Sequence, residues 1–176
     1  MKEMNNIRLR SIDEATIADI QYTPTSLARQ LIDITTIQGT SILDPCSGKG
    51  AFYDAFPDDM VKAYCEIEMG SDFFEWTEPV HWVISNPPFS QLTRWIEHTL
   101  NVATVGFAYI MPTYSLTHQR LRLIESFGFY CEKTVIIENP KQWNVGFAMG
   151  YYVFKKHGQR HTRLVGDREA LQARLW

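Results

Sequence analysis

Residues 40–50 have the sequence Thr-Ser-Ile-Leu-Asp-Pro-Cys-Ser-Gly-Lys-Gly. A short apolar run therefore ends in Asp44-Pro45 and passes at once into a glycine-rich turn. Glycine lets the backbone come close to a bound molecule, because it has no side chain to hold the two apart. The stretch predicts a strand with a ligand-binding loop at its carboxyl end.

Helix-like and strand-like segments alternate on both sides of this stretch. Apolar residues at helical spacing predict helices after Thr23-Pro24 and over residues 92–100 and 115–127. Apolar runs predict further strands at residues 61–67, 80–85 and 102–111. The last of these is almost wholly apolar, which is typical of a central parallel strand covered on both faces.

The pattern changes in the C-terminal part of the chain. Two strand-like runs, 133–138 and 145–154, are joined by residues 139–144, a connection too short for a parallel crossover. They predict an antiparallel hairpin. The predicted fold class is α/β, a three-layer sandwich around one mostly parallel sheet that ends in this C-terminal hairpin. Ligands of such sheets bind at the carboxyl ends of the strands.

Composition narrows the class of protein. The chain has 176 residues, of which 45% are hydrophobic and 21% charged, as in a soluble globular domain. No apolar stretch is long enough to span a bilayer, and residues 1–10 lack the apolar core of a secretory signal, so we expect a cytoplasmic protein. The cysteines, Cys46, Cys65 and Cys131, have neither metal-like nor redox-like spacing, and we expect no metal.

Charge divides the chain into an acidic body and a basic tail. The formal net charge is −3, but residues 155–176 contain six basic and two acidic residues, a net charge of +4. We place the main domain at 1–154, with an N-terminal extension at 1–21, and the tail at 155–176. Two interpretations of the tail stay open: it contacts phosphates, or it is a solvated terminal helix.

The tetrapeptide Asn86-Pro87-Pro88-Phe89 directly follows the predicted strand at 80–85. Two prolines make a stiff turn whose carbonyl groups remain free to accept hydrogen bonds. An exocyclic amine is a poor nucleophile, because its lone pair is delocalised into the ring. If Asn86 and the Pro87 carbonyl accept its hydrogens, the lone pair becomes available, while Phe89 stacks on the base. The alternative is a proline-stiffened turn without chemistry.

These motifs together identify a resemblance. Residues 22–154 resemble the amino-group DNA methyltransferases of the Rossmann-like class, in which an Asp/Asn-Pro-Pro-aromatic tetrapeptide follows the fourth strand. The resemblance implies a Rossmann-like sheet, S-adenosylmethionine as cofactor, and methyl transfer to N6 of adenine in DNA. It also implies that residues 1–154 are the methyltransferase domain.

The resemblance also implies a set of cofactor-binding residues. The loop of Asp44, Pro45, Cys46, Gly48 and Gly50 holds the methionine part, with Asp44 paired to its α-amino group. Glu66 takes the ribose hydroxyls, with Glu68 as the alternative, and Ile67 packs on the adenine. Asp72 accepts from the adenine amine and Phe73 lies on the ring. Tyr22 and Thr23 match the segment near the methionine carboxylate.

Two departures from the family pattern have consequences. Only residues 67–71 separate Glu66 from Asp72, so we expect a shortened connection between the second and third strands. The chain also has no room for a separate recognition domain, which points to a homodimer or a recognition partner. The residues predicted to contact nucleic acid are Tyr114, His118, Arg120, Lys141 and Trp143, the last as a stacking side chain at the hairpin tip.

Other functions remain open from the sequence. The same chemistry suits RNA, at adenine N6 or guanine N2, and a protein glutamine amide is a further substrate. A different class is an inactive cofactor-binding subunit or regulator. The presence of every motif residue disfavours that class, because a degenerate copy is expected to lose at least one.

Overall fold

A computed structural model describes residues 21–158 of the chain. It contains ten helices and strands, and 3₁₀ turns connect several of them. In chain order they are α1 (Thr25–Asp33), β1 (Ser41–Asp44), α2 (Ala51–Ala55), β2 (Val61–Tyr64), β3 (Val80–Ser85), α3 (Leu92–Val102), β4 (Ala103–Pro112), α4 (His118–Ser126), β5 (Phe129–Ile137) and β6 (Met149–Lys156). None of the helices in this part of the chain has the length and apolar character needed to cross a membrane.

The strands form one six-stranded sheet in the order β2-β1-β3-β4-β6-β5. The four strands β2, β1, β3 and β4 run parallel to one another. β6 lies antiparallel between β4 and β5. The sheet is therefore mostly parallel and ends in an antiparallel C-terminal hairpin, which confirms the predicted fold class.

Each face of the sheet buries its own apolar cluster. The first cluster joins one face to α3 and α4 through residues such as Trp95, Ile96 and Leu121. The second joins the other face to α1 and α2 through residues such as Leu31 and Phe52. Helices thus cover both faces, giving three layers. All the carboxyl ends of β1, β2 and β3 open on the same edge of this sandwich.

The connection between β2 and β3 is short, as predicted. Residues 65–79 hold two 3₁₀ turns, Ile67–Met69 and Phe73–Glu75, and no α-helix. In the described residues β2 is an edge strand, because β3 pairs with β1 on the other side. β2 itself ends at Tyr64, three residues earlier than the predicted run, since Glu66 turns the chain by accepting a hydrogen bond from the Glu68 amide.

The hairpin differs from the prediction in its bounds. β5 begins at Phe129, and the connection spans residues 138–148 instead of 139–144. β6 runs to Lys156, so the first two residues of the predicted tail belong to the sheet, and Lys155 pairs with Glu132 at 3.2 Å. β6 thus extends two residues beyond the predicted boundary at 154, and the division into a main domain and a tail stays a prediction. Residues 1–20 of the predicted extension and 159–176 of the tail lie outside the described residues.

Candidate active site

The strand ends of β1, β2 and β3 surround a cavity of about 460 Å³. Eleven of the residues predicted from the sequence line it: Tyr22, Thr23, Pro45, Cys46, Gly48, Glu66, Ile67, Asp72, Phe73, Asn86 and Pro88. The cavity volume falls within the range of small-molecule sites, about 300–1,000 Å³. The structure therefore brings the predicted cofactor and catalytic segments together in one place.

The glycine-rich turn after β1 is shaped for close approach. Gly48 has a φ of +53°, and a Cβ placed there would lie 3.0 Å from the Tyr22 ring. Its amide donates to Glu66 Oε2 at 2.6 Å, which fastens the turn to the end of β2. Gly50, with a φ of +80°, ends the turn just before α2. A side chain at Gly48 would thus meet both strain and the Tyr22 ring.

Glu66 faces the cavity with a carboxylate that is already oriented. Oε2 accepts from the Gly48 amide and Oε1 from the Glu68 amide at 3.3 Å. Each oxygen keeps further lone pairs, so the carboxylate can accept from a pair of hydroxyls. Ile67, 63% exposed, provides an apolar surface beside it. Glu68 also lines the cavity, and both assignments of the ribose-binding acid remain compatible with the geometry.

Asp44 lies at the carboxyl end of β1. It is 1% exposed, does not line the cavity, and accepts a hydrogen bond from Ser85 Oγ at 2.6 Å. Desolvation by burial raises its pKa to about 7, against the lowering effect of hydrogen bonds from Ser85 and two backbone amides. In the structure Asp44 joins the ends of β1 and β3, and its pairing with the methionine part of the cofactor stays a prediction.

Cys46 continues this link towards the tetrapeptide. Its Sγ lies 3.1 Å from Ser85 Oγ and donates to the carbonyl oxygen of Asn86 at 3.4 Å. Burial raises the pKa of the Cys46 thiol well above its usual range, so the group stays protonated. It acts as a donor and not as a nucleophile.

Asn86 is held by the segment that precedes α1. Its Nδ2 donates to the Gln21 carbonyl at 2.7 Å and to Thr23 Oγ1 at 3.3 Å. A carbonyl can only accept, so the amide nitrogen must face Gln21, and this fixes the orientation of the amide. The remaining atom, Oδ1, is buried and has no protein partner among residues 21–158. A buried acceptor without a donor costs free energy, so this position favours a ligand that donates a hydrogen bond to Oδ1.

The rest of the tetrapeptide divides between cavity and surface. Pro88 lines the cavity and Pro87 is buried. Phe89 is half-buried outside the lining, with its ring 6.3 Å from that of Phe147. Phe147 in turn lies edge-on to Tyr114, with 5.4 Å between ring centroids. We call these three rings, Phe89, Phe147 and Tyr114, the aromatic strip.

The segment after β2 places its two phenylalanines differently. Phe73 is buried and stacks on Trp95 at 5.1 Å, so most of its ring belongs to the core. Phe74 is the more exposed of the two, and the Arg94 guanidinium lies 3.7 Å from its ring centre. Asp72 Oδ1 accepts from the Phe74 amide at 2.9 Å. The ring available to a ligand is therefore Phe74 more than the predicted Phe73.

Sequence reasoning missed several lining residues. Those that carry polar or aromatic groups include Lys49, Phe74, Gln91, Arg94 and Trp95. Three of them come from the turn before α3 and its first residues, whose amphipathic pattern predicts a helix but not which end meets a cavity. Lys49 lies over the Tyr22 ring at 4.6 Å, a contact that no local pattern reveals.

The residues predicted to contact nucleic acid have mixed positions. Tyr114 is 65% exposed, and His118 and Lys141 are exposed as well. Arg120 is half-buried and bonded within the protein, since it donates to Thr93 Oγ1 at 3.0 Å and to the Ser115 carbonyl at 2.6 Å. Trp143 is buried, which corrects the prediction that it stacks on a base from the hairpin tip.

Comparison with known proteins defines the fold. A candidate RNA methyltransferase from Pyrococcus horikoshii shares 21% sequence identity, with a TM-score of 0.59 over 85% of this chain and 93% of that chain. The type I restriction-modification methyltransferase subunit of Streptococcus thermophilus shares 14% sequence identity, with a TM-score of 0.60 over 78% of this chain and 45% of that chain. The chain has a Rossmann-like methyltransferase fold.

A third similar structure contains the cofactor. Magnesium protoporphyrin IX methyltransferase from Synechocystis PCC 6803, solved with bound S-adenosylmethionine, shares 11% identity and a TM-score of 0.51 over 74% of this chain and 76% of that chain. This chain spans less than half the length of the type I subunit. No family model and no curated protein sequence matches it. Within residues 21–158, no group of three or more His, Cys, Asp or Glu side chains is arranged to hold a metal ion.

Proposed function

We propose that this protein is an S-adenosylmethionine-dependent methyltransferase that acts on an exocyclic amino group, N6 of adenine in DNA. The observation that carries the proposal is the amide of Asn86. Its nitrogen is tied to Gln21 and Thr23, and its buried oxygen has no protein partner among the described residues. An amino group that reaches this oxygen satisfies it by donating one hydrogen.

The residues around the cavity fit the cofactor. The bare backbone at Gly48 leaves room for the methionine part, and Glu66 offers acceptor oxygens for the ribose hydroxyls. Ile67 and Phe74 provide apolar surfaces for the adenine, and Asp72 lies beside them. When bound, S-adenosylmethionine supplies a methyl group on a positively charged sulfur, and transfer breaks the C–S bond as a C–N bond forms.

The chain's own part in the reaction is to activate and orient the amine. Asn86 Oδ1, with the Pro87 carbonyl, accepts the two hydrogens and draws the nitrogen towards tetrahedral geometry. The freed lone pair then points at the methyl group, and the proton leaves the methylated nitrogen for solvent. Neither acceptor takes that proton. Their contribution is positioning, which raises the effective concentration of the reacting atoms.

The aromatic strip supports a nucleobase as the substrate. Phe89 begins the strip beside Asn86, and Tyr114 ends it with most of its ring exposed. Stacking on such rings is how proteins hold bases that have left a helix. His118 and Lys141, both exposed, are the further residues we propose for contact with the polynucleotide.

RNA is the second candidate substrate. It is favoured by the similarity to the candidate RNA methyltransferase, of which 93% is matched, whereas the type I subunit is matched over only 45% of its length. If the substrate is DNA, sequence recognition then depends on loops of this chain, a second copy of it, or a partner protein.

A labelling experiment tests the proposal. The protein is incubated with methyl-labelled S-adenosylmethionine and unmodified DNA, RNA or protein, and the modified nucleoside is identified after digestion. We expect label in N6-methyladenine from DNA. Asn86→Ala should lower the rate by roughly 10²–10³-fold, because a group acting only in the transition state is lost. Asn101→Ala is the matched control, since Asn101 is exposed and its side-chain amide donates to the Glu97 carbonyl in its own helix.

The outcomes separate the alternatives. Label in RNA and not in DNA would move the substrate to RNA and leave the chemistry intact. Label that is unaffected by Asn86→Ala would contradict the assigned role of the tetrapeptide. No transfer to any substrate, with tight binding of S-adenosylhomocysteine, would leave a cofactor-binding subunit without activity of its own.

A further inference from the structure

The indole of Trp143 makes one hydrogen bond across the fold. It lies in the connection between β5 and β6 and is 5% exposed. Its Nε1 donates to the carbonyl oxygen of Tyr22 at 2.8 Å. The backbone of the connection is itself folded over, since the Trp143 amide bonds to the Pro140 carbonyl. The contact joins positions that are 121 residues apart in the chain.

Tyr22 lies between the two residues that hold the catalytic amide. Gln21 supplies the carbonyl for Asn86 Nδ2, and Thr23 supplies the hydroxyl. The carbonyl between them is the one that Trp143 holds. Residues 21–23 thus accept hydrogen bonds from two distant parts of the fold. Asn86, at the end of β3, donates to Gln21 and Thr23, and Trp143, in the β5–β6 connection, donates to Tyr22.

We propose that Trp143 is a positioning residue for Asn86, a role that rests on the proposed function of the tetrapeptide. The Trp143 hydrogen bond fixes the 21–23 segment, and this segment fixes the amide nitrogen of Asn86. The amide oxygen is then held at one place, where it meets the substrate amine. Trp143 itself touches neither substrate nor cofactor in this role.

The hydrogen bond of the Trp143 N–H can be distinguished from the packing of its indole ring. An indole that only fills space tolerates loss of its N–H, provided that the ring volume remains. Loss of the N–H here leaves the Tyr22 carbonyl without its donor from Trp143, and the segment is free to shift. The expected consequence is a lower kcat with a nearly unchanged KM for the polynucleotide, because only the alignment of the amine suffers.

The principal variant is Trp143→Phe, with Trp76→Phe as the matched control. Trp76 Nε1 also donates to a backbone carbonyl, that of Glu78 at 2.7 Å, but Glu78 is not adjacent to the residues that bond the Asn86 amide. We expect kcat to fall about tenfold in Trp143→Phe, the effect of one lost hydrogen bond, and to stay within about twofold in Trp76→Phe. Affinity for S-adenosylhomocysteine should change less than about threefold in both.

A spectroscopic readout makes the test independent of activity. The side-chain amide of Asn86 is assigned in a ¹⁵N spectrum by its absence from Asn86→Ala. In Trp143→Phe we expect this resonance to shift and its hydrogens to exchange with solvent about tenfold faster, while Trp76→Phe leaves both unchanged. An unchanged resonance together with an unchanged kcat would overturn the positioning role.

Two further variants guard against a folding effect. Benzothienylalanine at position 143 keeps the ring shape and replaces the N–H by sulfur, so it should reproduce the kcat and exchange effects in a folded protein. Wild-type behaviour of that variant would refute the proposal. Thr23→Val combined with Trp143→Phe should give less than additive losses in kcat, because both act on one segment. Additive losses would also count against it.

The readouts also separate the two proposals. If no substrate is ever methylated, the proposed function fails, yet the amide resonance still shows whether Trp143 holds Asn86. If the wild type methylates DNA and neither kcat nor resonance responds to Trp143, only the positioning role fails.

Discussion

Two regions of the molecule surround Asn86, and they are built differently. The strand-end turns (residues 44–50 and 65–74) are joined to one another by bonds between adjacent strands, such as that from the Gly48 amide to Glu66 at 2.6 Å. The β5–β6 connection (residues 138–148) is instead joined to a distant segment through Trp143. Neighbouring strands position the first region, whereas contacts with segments that are distant in the chain position the second, among them the bond from Trp143 to Tyr22 and the ring contacts of Phe147.

The difference assigns separate tasks to the two regions. Changes in the strand-end turns should alter cofactor binding or the stability of the sheet edge, because these turns hold the cavity walls. Changes near the β5–β6 connection should alter the acceptor side, where Asn86 and the aromatic strip lie.

The largest effect is expected at Asp44. Its pKa is raised to about 7 by burial, against an ordinary value of 3.8. Between these values the folded protein keeps a proton that the unfolded chain has lost, so stability falls as pH rises. The free energy of unfolding of the wild type, measured relative to Asp44→Asn, should fall by on the order of 4 kcal/mol from pH 4 to pH 7. Urea denaturation of both proteins at a series of pH values measures this fall in the free energy of unfolding.

Asp58 provides a control, because its pKa is shifted in the opposite direction. It is exposed, and its hydrogen bond with Lys62 at 2.6 Å lowers its pKa, so its contribution is lost only as pH falls below about 4. Asp58→Asn should therefore show no trend relative to the wild type between pH 4.5 and 7. A flat profile for Asp44→Asn as well would mean that burial does not raise the pKa of Asp44, which would then ionise at the same pH in the folded and the unfolded protein.

The next effect concerns the acid that binds the cofactor. Glu66→Ala removes the carboxylate that holds the Gly48 amide and faces the cavity, and S-adenosylhomocysteine affinity should fall about 100-fold, the effect of two hydrogen bonds to a charged group. Glu68→Ala is the matched control and should change affinity less than about threefold. Titration calorimetry measures both. The reverse order of effects would assign the ribose to Glu68.

The fold class could be predicted because its signals are local. The apolar run of β4, the spacing of α3 and the short link between β5 and β6 each follow from a few adjacent residues. The strand order was not accessible in this way, because the pairing of β3 with β1 depends on where a chain returns. Bounds were least predictable in the hairpin, where β5 starts four residues before the apolar run at 133.

In the candidate site, too, some residues could be predicted from local patterns and others could not. The positions of Glu66, Gly48 and Asn86 at the cavity could be predicted, since each lies in the turn after a strand and parallel strands end at one edge. Arg94 and Phe74 could not, because their meeting depends on how α3 packs against the turn after β2. Trp143 was misread for a related reason: nothing in a polar connection tells whether its tryptophan turns outward or towards Tyr22.

The smallest effect is expected on the aromatic strip, at Tyr114. Its side chain is 65% exposed and contacts Phe147, so Tyr114→Ala should leave thermal stability nearly unchanged. Loss of one stacking ring should weaken polynucleotide binding about fivefold to tenfold, near the low end for base stacking, with no change in cofactor affinity. Ile136→Ala is the control, because Ile136 is equally exposed at 66% but lies in β5, outside the strip. Fluorescence anisotropy with labelled single-stranded DNA measures both variants. Equal affinities would remove the strip from the acceptor side, and a loss of cofactor affinity in Tyr114→Ala would break the division between the two regions, since the acceptor surface would then also shape the cavity.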